Sequence, residues 1–180
     1  MRARYKPSTY IRTLAAIFRL NPVLHFMARV LPGGFGFRPF LHRLRGVYIE
    51  EDVWIGDDVY IEQEHPEVIE IREGAAIATR CTIIGFTKGP GRIVIDRYAA
   101  IGAGSTIVCA AGQTLTIGEG AVVSAGSVVS NSIPAFTLCG PPRVKVFGKV
   151  TVPYRTATTM DEFRRGVQPL RAKTRQPESA

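Results

Sequence analysis

Aliphatic residues return at every sixth position through the middle of the chain: Ile49, Ile55 and Ile61, then Ile71, Ile77 and Ile83, Ile95, Ile101 and Ile107, and Ile117, Val123 and Val129. A period of six fits neither an amphipathic helix nor one long alternating strand, whose side-chain repeats are about 3.6 and 2. It is the period of a short strand plus a corner. If three such sides close a triangular coil, the periodic aliphatics all point inward and stack on their counterparts one coil away. Small residues four positions after an aliphatic (Ala99, Ser105, Ala121 and Ser127) suit the narrow corners, and Gly102, Gly104, Gly118, Gly120 and Gly126 suit tight turning. The pattern predicts an all-β chain built as a parallel β-helix.

The beat is broken three times. Glu62 to Glu70 (EQEHPEVIE) and Ile84 to Arg92 (IGFTKGPGR) are excluded from the coil, and the step from Ile107 to Ile117 is long, predicting a bulge around Ala111 and Gly112. Loops emerging from a rigid solenoid are where function is usually carried. Trp54 and Tyr60 fall at outward positions, where they predict an interface between copies or a cleft. The acids Glu50, Glu51, Asp52, Asp57 and Asp58 lie at corners or outward positions and read as a solvated face rather than a metal site.

Ahead of the repeats lies a segment of different character. Residues 1–49 hold nine of the 23 basic residues and none of the 15 acidic ones, so that segment carries +9 and the remainder −1. Two short helices are predicted there. Ser8 or Thr9 caps the first, with Ile11, Leu14, Ala15 and Phe18 on one face. Asn21 and Pro22 open the second, with an apolar face of Val23, Phe26, Met27 and Val30 and an end at Pro32-Gly33-Gly34. Arg19 and Arg29 interrupt the apolar runs, so no stretch approaches the 18 to 20 residues of a membrane span. Such an arm is expected to cap the solenoid end and to make peripheral contact with an anionic membrane. No motif or aromatic pattern accompanies the charge that would predict nucleic-acid binding. Cys81, Cys109 and Cys139 are too few and too scattered for a disulfide framework or a zinc site. A cytoplasmic protein, at most peripheral at the inner face of the membrane, is the expectation.

The organisation that follows is a basic amphipathic arm over residues 1–46, a repeat domain over 47–146 and a C-terminal extension over 147–180. In that extension, Thr159 is placed to cap a short helix with Asp161 and Glu162 in its first turn. The closing stretch RAKTRQPESA is polar enough to read as disordered.

Within the repeat domain, IGAGSTI followed by IGEGAVVSAGSVVSNSIPAFTLCGPP resembles the hexapeptide-repeat acyltransferase superfamily, especially the branch that acetylates sugars, antibiotics and serine. The likeness covers Ile49 to Val146. It implies a left-handed β-helix, a homotrimer, and acetyl or another acyl coenzyme A as cosubstrate in grooves between subunits, with no metal. By the resemblance, main-chain groups at Ala103 and Ala125 meet the pantetheine arm. Ser130 and Asn131 stand where the family has Thr-Lys, and Arg143 is placed to reach phosphate. The family's loop histidine would fall at Gly85 or Phe86. His65, with Glu64 and Glu67 beside it to orient it, is therefore the candidate general base. His25 and His42 belong to the arm and read as structural or membrane-facing. The expected function is acyl transfer, acetyl above all, to a saccharide of surface-polysaccharide or lipid-linked sugar synthesis. The alternative is an inactive scaffold or binding subunit of the same pathway.

Overall fold

The computed structural model describes residues 20–142 and 145–169. The helix expected after Ser8 or Thr9, Arg143 and the polar tail lie outside the described residues. The chain divides into two compact units, Met1–Pro141 and Pro142–Ala180.

In the first unit, helices α1 (Leu20–Val30) and α2 (Phe37–Arg45) precede a parallel β-solenoid of about four turns. Its coils are β1 (Tyr48–Ile49), β2 (Trp54–Ile55) and β3 (Tyr60–Ile61); β4 (Ile69–Ile71), β5 (Ala76–Ile77) and β6 (Thr82–Ile84); β7 (Arg92–Ile95), β8 (Ala100–Ile101) and β9 (Thr106–Val108); β10 (Thr114–Ile117), β11 (Val122–Val123) and β12 (Val128–Val129). A partial fifth coil adds Ile133, bridged to Ile117, and β13 (Leu138–Cys139). Three sheets run along the stack, in the orders β1-β4-β7-β10, β2-β5-β8-β11-β13 and β3-β6-β9-β12.

The register is the one that the period of six requires. Ile49, Ile71, Ile95 and Ile117 align on the first sheet. Ile55, Ile77, Ile101 and Val123 align on the second, and Ile61, Ile83, Ile107 and Val129 on the third. All are at most 5% exposed, and together they form one apolar column. Val53, Ala75, Ala99 and Ala121 fill one corner of the triangle, and Val59, Cys81, Ser105 and Ser127 another. The buried Ser105 hydroxyl donates to the Ser124 carbonyl at 3.2 Å, so the polar corner is satisfied. Cys81 and Cys109 are buried core residues, as the repeat predicts. The third corner, between the third sheet and the first sheet of the next coil, carries all the breaks in the beat. A 3-10 turn at Pro66–Val68 lies there, as do the Phe86–Pro90 bridge and a turn through Gly112 at φ 73°.

The N-terminal end of the solenoid is closed by guanidinium groups. Each coil's N–H groups donate to the next coil's carbonyls, as Glu50 does to Ile71, Gly56 to Ile77 and Glu62 to Ile83 at 2.8–2.9 Å. The carbonyls on the outer side of the first coil therefore have no donor from the solenoid, and buried carbonyls without donors are costly. Helix α2 supplies them, one arginine to each side of the triangle. Arg43 Nε donates to Ile49 O at 2.9 Å, Arg38 to Ile55 O at 3.1 Å and Arg45 to Ile61 O at 3.1 Å. Arg45 also donates to Glu62 O at 2.7 Å and to Asn21 Oδ1 at 2.8 Å, and Gly34 O accepts from Ile55 N at 2.9 Å. Arg38 reaches on to Asp57, and Arg29 Nε to Asp58 at 2.9 Å. Part of the acidic cluster thus serves as counter-ions to the arm, and among the described residues no group of acids, histidines and cysteines is arranged to hold a metal.

The apolar face of α1 is turned outward: Val23, Phe26 and Val30 are 53%, 64% and 57% exposed. His25 and Ala28 are the buried residues of that helix instead. Trp54 and Tyr60, expected at an interface between copies or in a cleft, are instead half-buried under the arm. A Cβ on Gly34 would fall 2.4 Å from Trp54 Nε1, and the His25 ring stands edge-on to Tyr60 at 4.7 Å.

His25 and His42 are sealed in this junction. Neither ring nitrogen of His25 has a hydrogen-bond partner, and His42 Nδ1 lies 2.8 Å from the Arg45 guanidinium, from which it accepts. Burial, reinforced by Arg45 and Arg29, lowers the His25 pKa to about 4, and burial beside Arg45 holds His42 well below its ordinary value. Both histidines are neutral in the fold and take up protons on unfolding below about pH 6.5. Their contribution is therefore complete above that pH and is lost as pH falls toward 4. Each pKa unit between the two states is worth about 1.4 kcal/mol. Thermal melts from pH 7 to 4 are expected to show falling stability, and His25→Phe, which keeps the ring against Tyr60, should flatten the slope. An unchanged slope would show that His25 is not the linked group.

In the second unit, β14 (Gly148–Val150) pairs antiparallel with β15 (Val167–Pro169), and α3 (Met160–Arg165) lies between them in sequence. Thr159 Oγ1 accepts from Glu162 N at 3.2 Å, the expected cap, and Tyr154 packs edge-on against Phe163. Among the described residues no helix is long and apolar enough to cross a membrane.

Candidate functional site

The loop corner of the solenoid is organised by Glu62. This residue follows the last inward isoleucine of the first coil and is only 5% exposed. Its carboxylate accepts from Glu64 N at 3.2 Å and from Phe86 N at 3.1 Å, tying two successive loops together. Between those anchors, Pro66 opens the 3-10 turn and His65 immediately precedes it.

The His65 imidazole stacks on the Phe86 ring, with centroids 4.2 Å apart and planes 26° from parallel. Of the two positions where the resembled family would carry its histidine, Gly85 is closed. A Cβ there would fall 2.5 Å from Val68 Cγ2, so only position 86 admits a side chain. The structure thus places His65, from the preceding loop, against the side chain at that position. Glu67 Oε1 lies 3.4 Å from His65 Nδ1, and both side chains are 42% exposed. A carboxylate on Nδ1 favours the tautomer that leaves Nε2 as the acceptor of a proton. Of the two acids expected beside His65, Glu67 takes this place. Glu64 instead has its backbone N–H held by Glu62.

A second group of expected residues meets at a different corner, between the second and third sheets. Ala103-Gly104 and Ala125-Gly126 stack on adjacent coils, with Gly126 N donating to Ala103 O at 2.9 Å. Gly104 and Gly126 are at φ 68° and 70°, and a Cβ at either would meet nothing within 4 Å, so the main chain there is open to a close-lying ligand. The ladder stops at Ala125, whose carbonyl receives no donor among the described residues. Exposed apolar side chains flank it: Val122, Val128 and Leu138, at 41%, 78% and 72%. The two stacked turns thus form a narrow corridor of open main chain edged by apolar side chains.

Ser130 is exposed and follows the fourth coil, on the loop edge that also carries His65. Three coils separate them, roughly 14 Å at the usual strand spacing. Within one chain, then, His65, Glu67 and Phe86 come together, and Ala103 and Ala125 come together, but the two groups occupy different corners of the triangle.

Glu62 went unread in the sequence, where it is simply the first residue of an interruption. The same position in the later coils, at Ile84, Val108 and Ser130, is not buried, so no repeat-based signal marks it. No family model matches the chain, and comparison with curated proteins and with solved structures likewise returns no match.

Proposed function

We propose that the protein is a coenzyme A-dependent acyltransferase of the hexapeptide-repeat kind, moving an acetyl or other short acyl group to a hydroxyl or amine of a saccharide. The observation that carries this reading is the stacking of His65 on Phe86 with Glu67 on its Nδ1. In this reading, His65 Nε2 takes the proton from the acceptor as its oxygen or nitrogen attacks the thioester carbonyl. The tetrahedral adduct then expels the coenzyme A thiolate, which recovers that proton from the imidazolium. Glu67 steadies the imidazolium in between.

Because the histidine and the small-residue corridor occupy different corners, a site uniting them forms between copies of the chain, as in a trimer. Exposed Val122, Val128 and Leu138 beside the corridor support such packing, since apolar side chains that gather on a surface mark interfaces. The inactive-scaffold alternative draws on Phe86 itself, an unreactive side chain where the family would place its base.

Calorimetry with acetyl coenzyme A separates the two. The transferase reading expects saturable micromolar binding, weakened by Ala125→Tyr, which would cover the open main chain, and by Arg143→Glu. No binding at millimolar ligand by the folded protein would sink the transferase and leave the scaffold.

A further inference from the structure

The arm that closes the solenoid has a second face. Around α1, His25 and Ala28 face the first coil, whereas Val23, Phe26 and Val30 follow one another at helical spacing on the opposite side. Helix α2 repeats the arrangement: Arg38, Leu41, His42 and Arg45 are buried, and Phe37 and Phe40 are 43% and 49% exposed. Phe35, in the connection between the helices, is 70% exposed. The two helices pack on each other and on the first coil. Their outer faces therefore form an aromatic and aliphatic ridge on the side away from the β-structure.

We infer that this ridge is a docking surface for an anionic lipid bilayer. The arm's charge is what selects that occupant. No acid occurs anywhere in residues 1–49, so nothing on the arm repels a phosphate surface. The cations split into two sets. Arg29, Arg38, Arg43 and Arg45 are committed to carbonyls and carboxylates of the first coil. Five more, Arg2, Arg4, Lys6, Arg12 and Arg19, belong to the sequence that runs directly into α1 at Leu20. An apolar face joined to a basic segment is the composition that binds in the headgroup region, phenyl rings in the acyl boundary and cations at the phosphates. Neither helix is long enough to cross, so the ridge lies on the surface.

The inference is independent of the transferase reading and is tested without any acyl donor. The full-length protein is sedimented with sucrose-loaded vesicles of phosphatidylcholine alone or mixed equally with phosphatidylglycerol. Binding is expected with the anionic vesicles, weaker with neutral ones, and weakened further by high salt. Phe26→Glu with Phe40→Glu should raise the lipid concentration for half-binding about tenfold or more, and Phe26→Leu with Phe40→Leu should leave it close to wild type. Both ring positions are exposed, so an unchanged melt verifies the fold of each variant. Failure to sediment with anionic vesicles, equal binding to neutral ones, or undiminished binding by the double glutamate variant would overturn the inference. So would a change in molecular mass in sedimentation velocity on making that variant, which would assign the ridge to contact between copies.

Discussion

Arg45→Met is expected to lower the free energy of unfolding by about 2–6 kcal/mol, from two buried carbonyls each losing a donor at about 1–3 kcal/mol. Methionine keeps most of the side-chain volume, so water is not admitted to replace the lost bonds. The guanidinium is the hub of the junction, joining Ile61 O, Glu62 O, Asn21 and His42, and burial lowers its pKa to about 10 without bringing it near neutrality. Arg45→Lys should recover only part of the loss, because one ammonium cannot reproduce the planar fork that spans these acceptors. Denaturant titration at constant m-value reads the change directly. A loss below about 1 kcal/mol would mean that the first coil's carbonyls find other donors, and that the cap is not what closes the solenoid.

The contrast between core and cap explains which parts of this molecule were legible in the sequence. A triangular coil repeats one packing problem, and residues that solve it must recur at one spacing. Ile77 and Ile101, for instance, occupy the same inward position one coil apart. The solenoid end is a problem posed only once, so it leaves no period to detect. Its solution also inverts the usual amphipathic rule, with arginines inside and phenylalanines outside, and Pro39 further disguises α2. Proline is tolerated there because the first turn of a helix has no intrahelical acceptor for its N–H. The acids Asp57 and Asp58 were visible as a cluster, but their partners lie about twenty to thirty residues away on elements that local pattern does not connect. The candidate site shows the same division. Local features, the small residues at Ala103 and Ala125 and the histidine loop itself, were readable. The stacking of His65 on Phe86 depends on how two interruptions of different length fold back at one corner, and Glu62 sets that through two backbone N–H groups.

His65→Ala is expected to reduce acyl transfer by about 10²–10⁴-fold, the usual contribution of a positioned general base, while leaving acetyl coenzyme A affinity close to wild type. The two readouts distinguish a base from a residue that only shapes the groove, since the latter would shift binding as well. Glu67→Gln should cost less, because it removes the charge that steadies the imidazolium but not the group that accepts the proton. The division of the site between two corners gives the sharper test. His65→Ala and Ala125→Tyr chains, each inactive alone, are unfolded, mixed in equal amounts and refolded together. If one copy supplies the histidine and its neighbour the corridor, random assembly regenerates intact sites at about one in four, and activity returns to that fraction of wild type. If both groups act within one chain, no intact site is regenerated and the mixture stays inactive. That outcome would contradict a site formed between copies even if His65 proves to be the base.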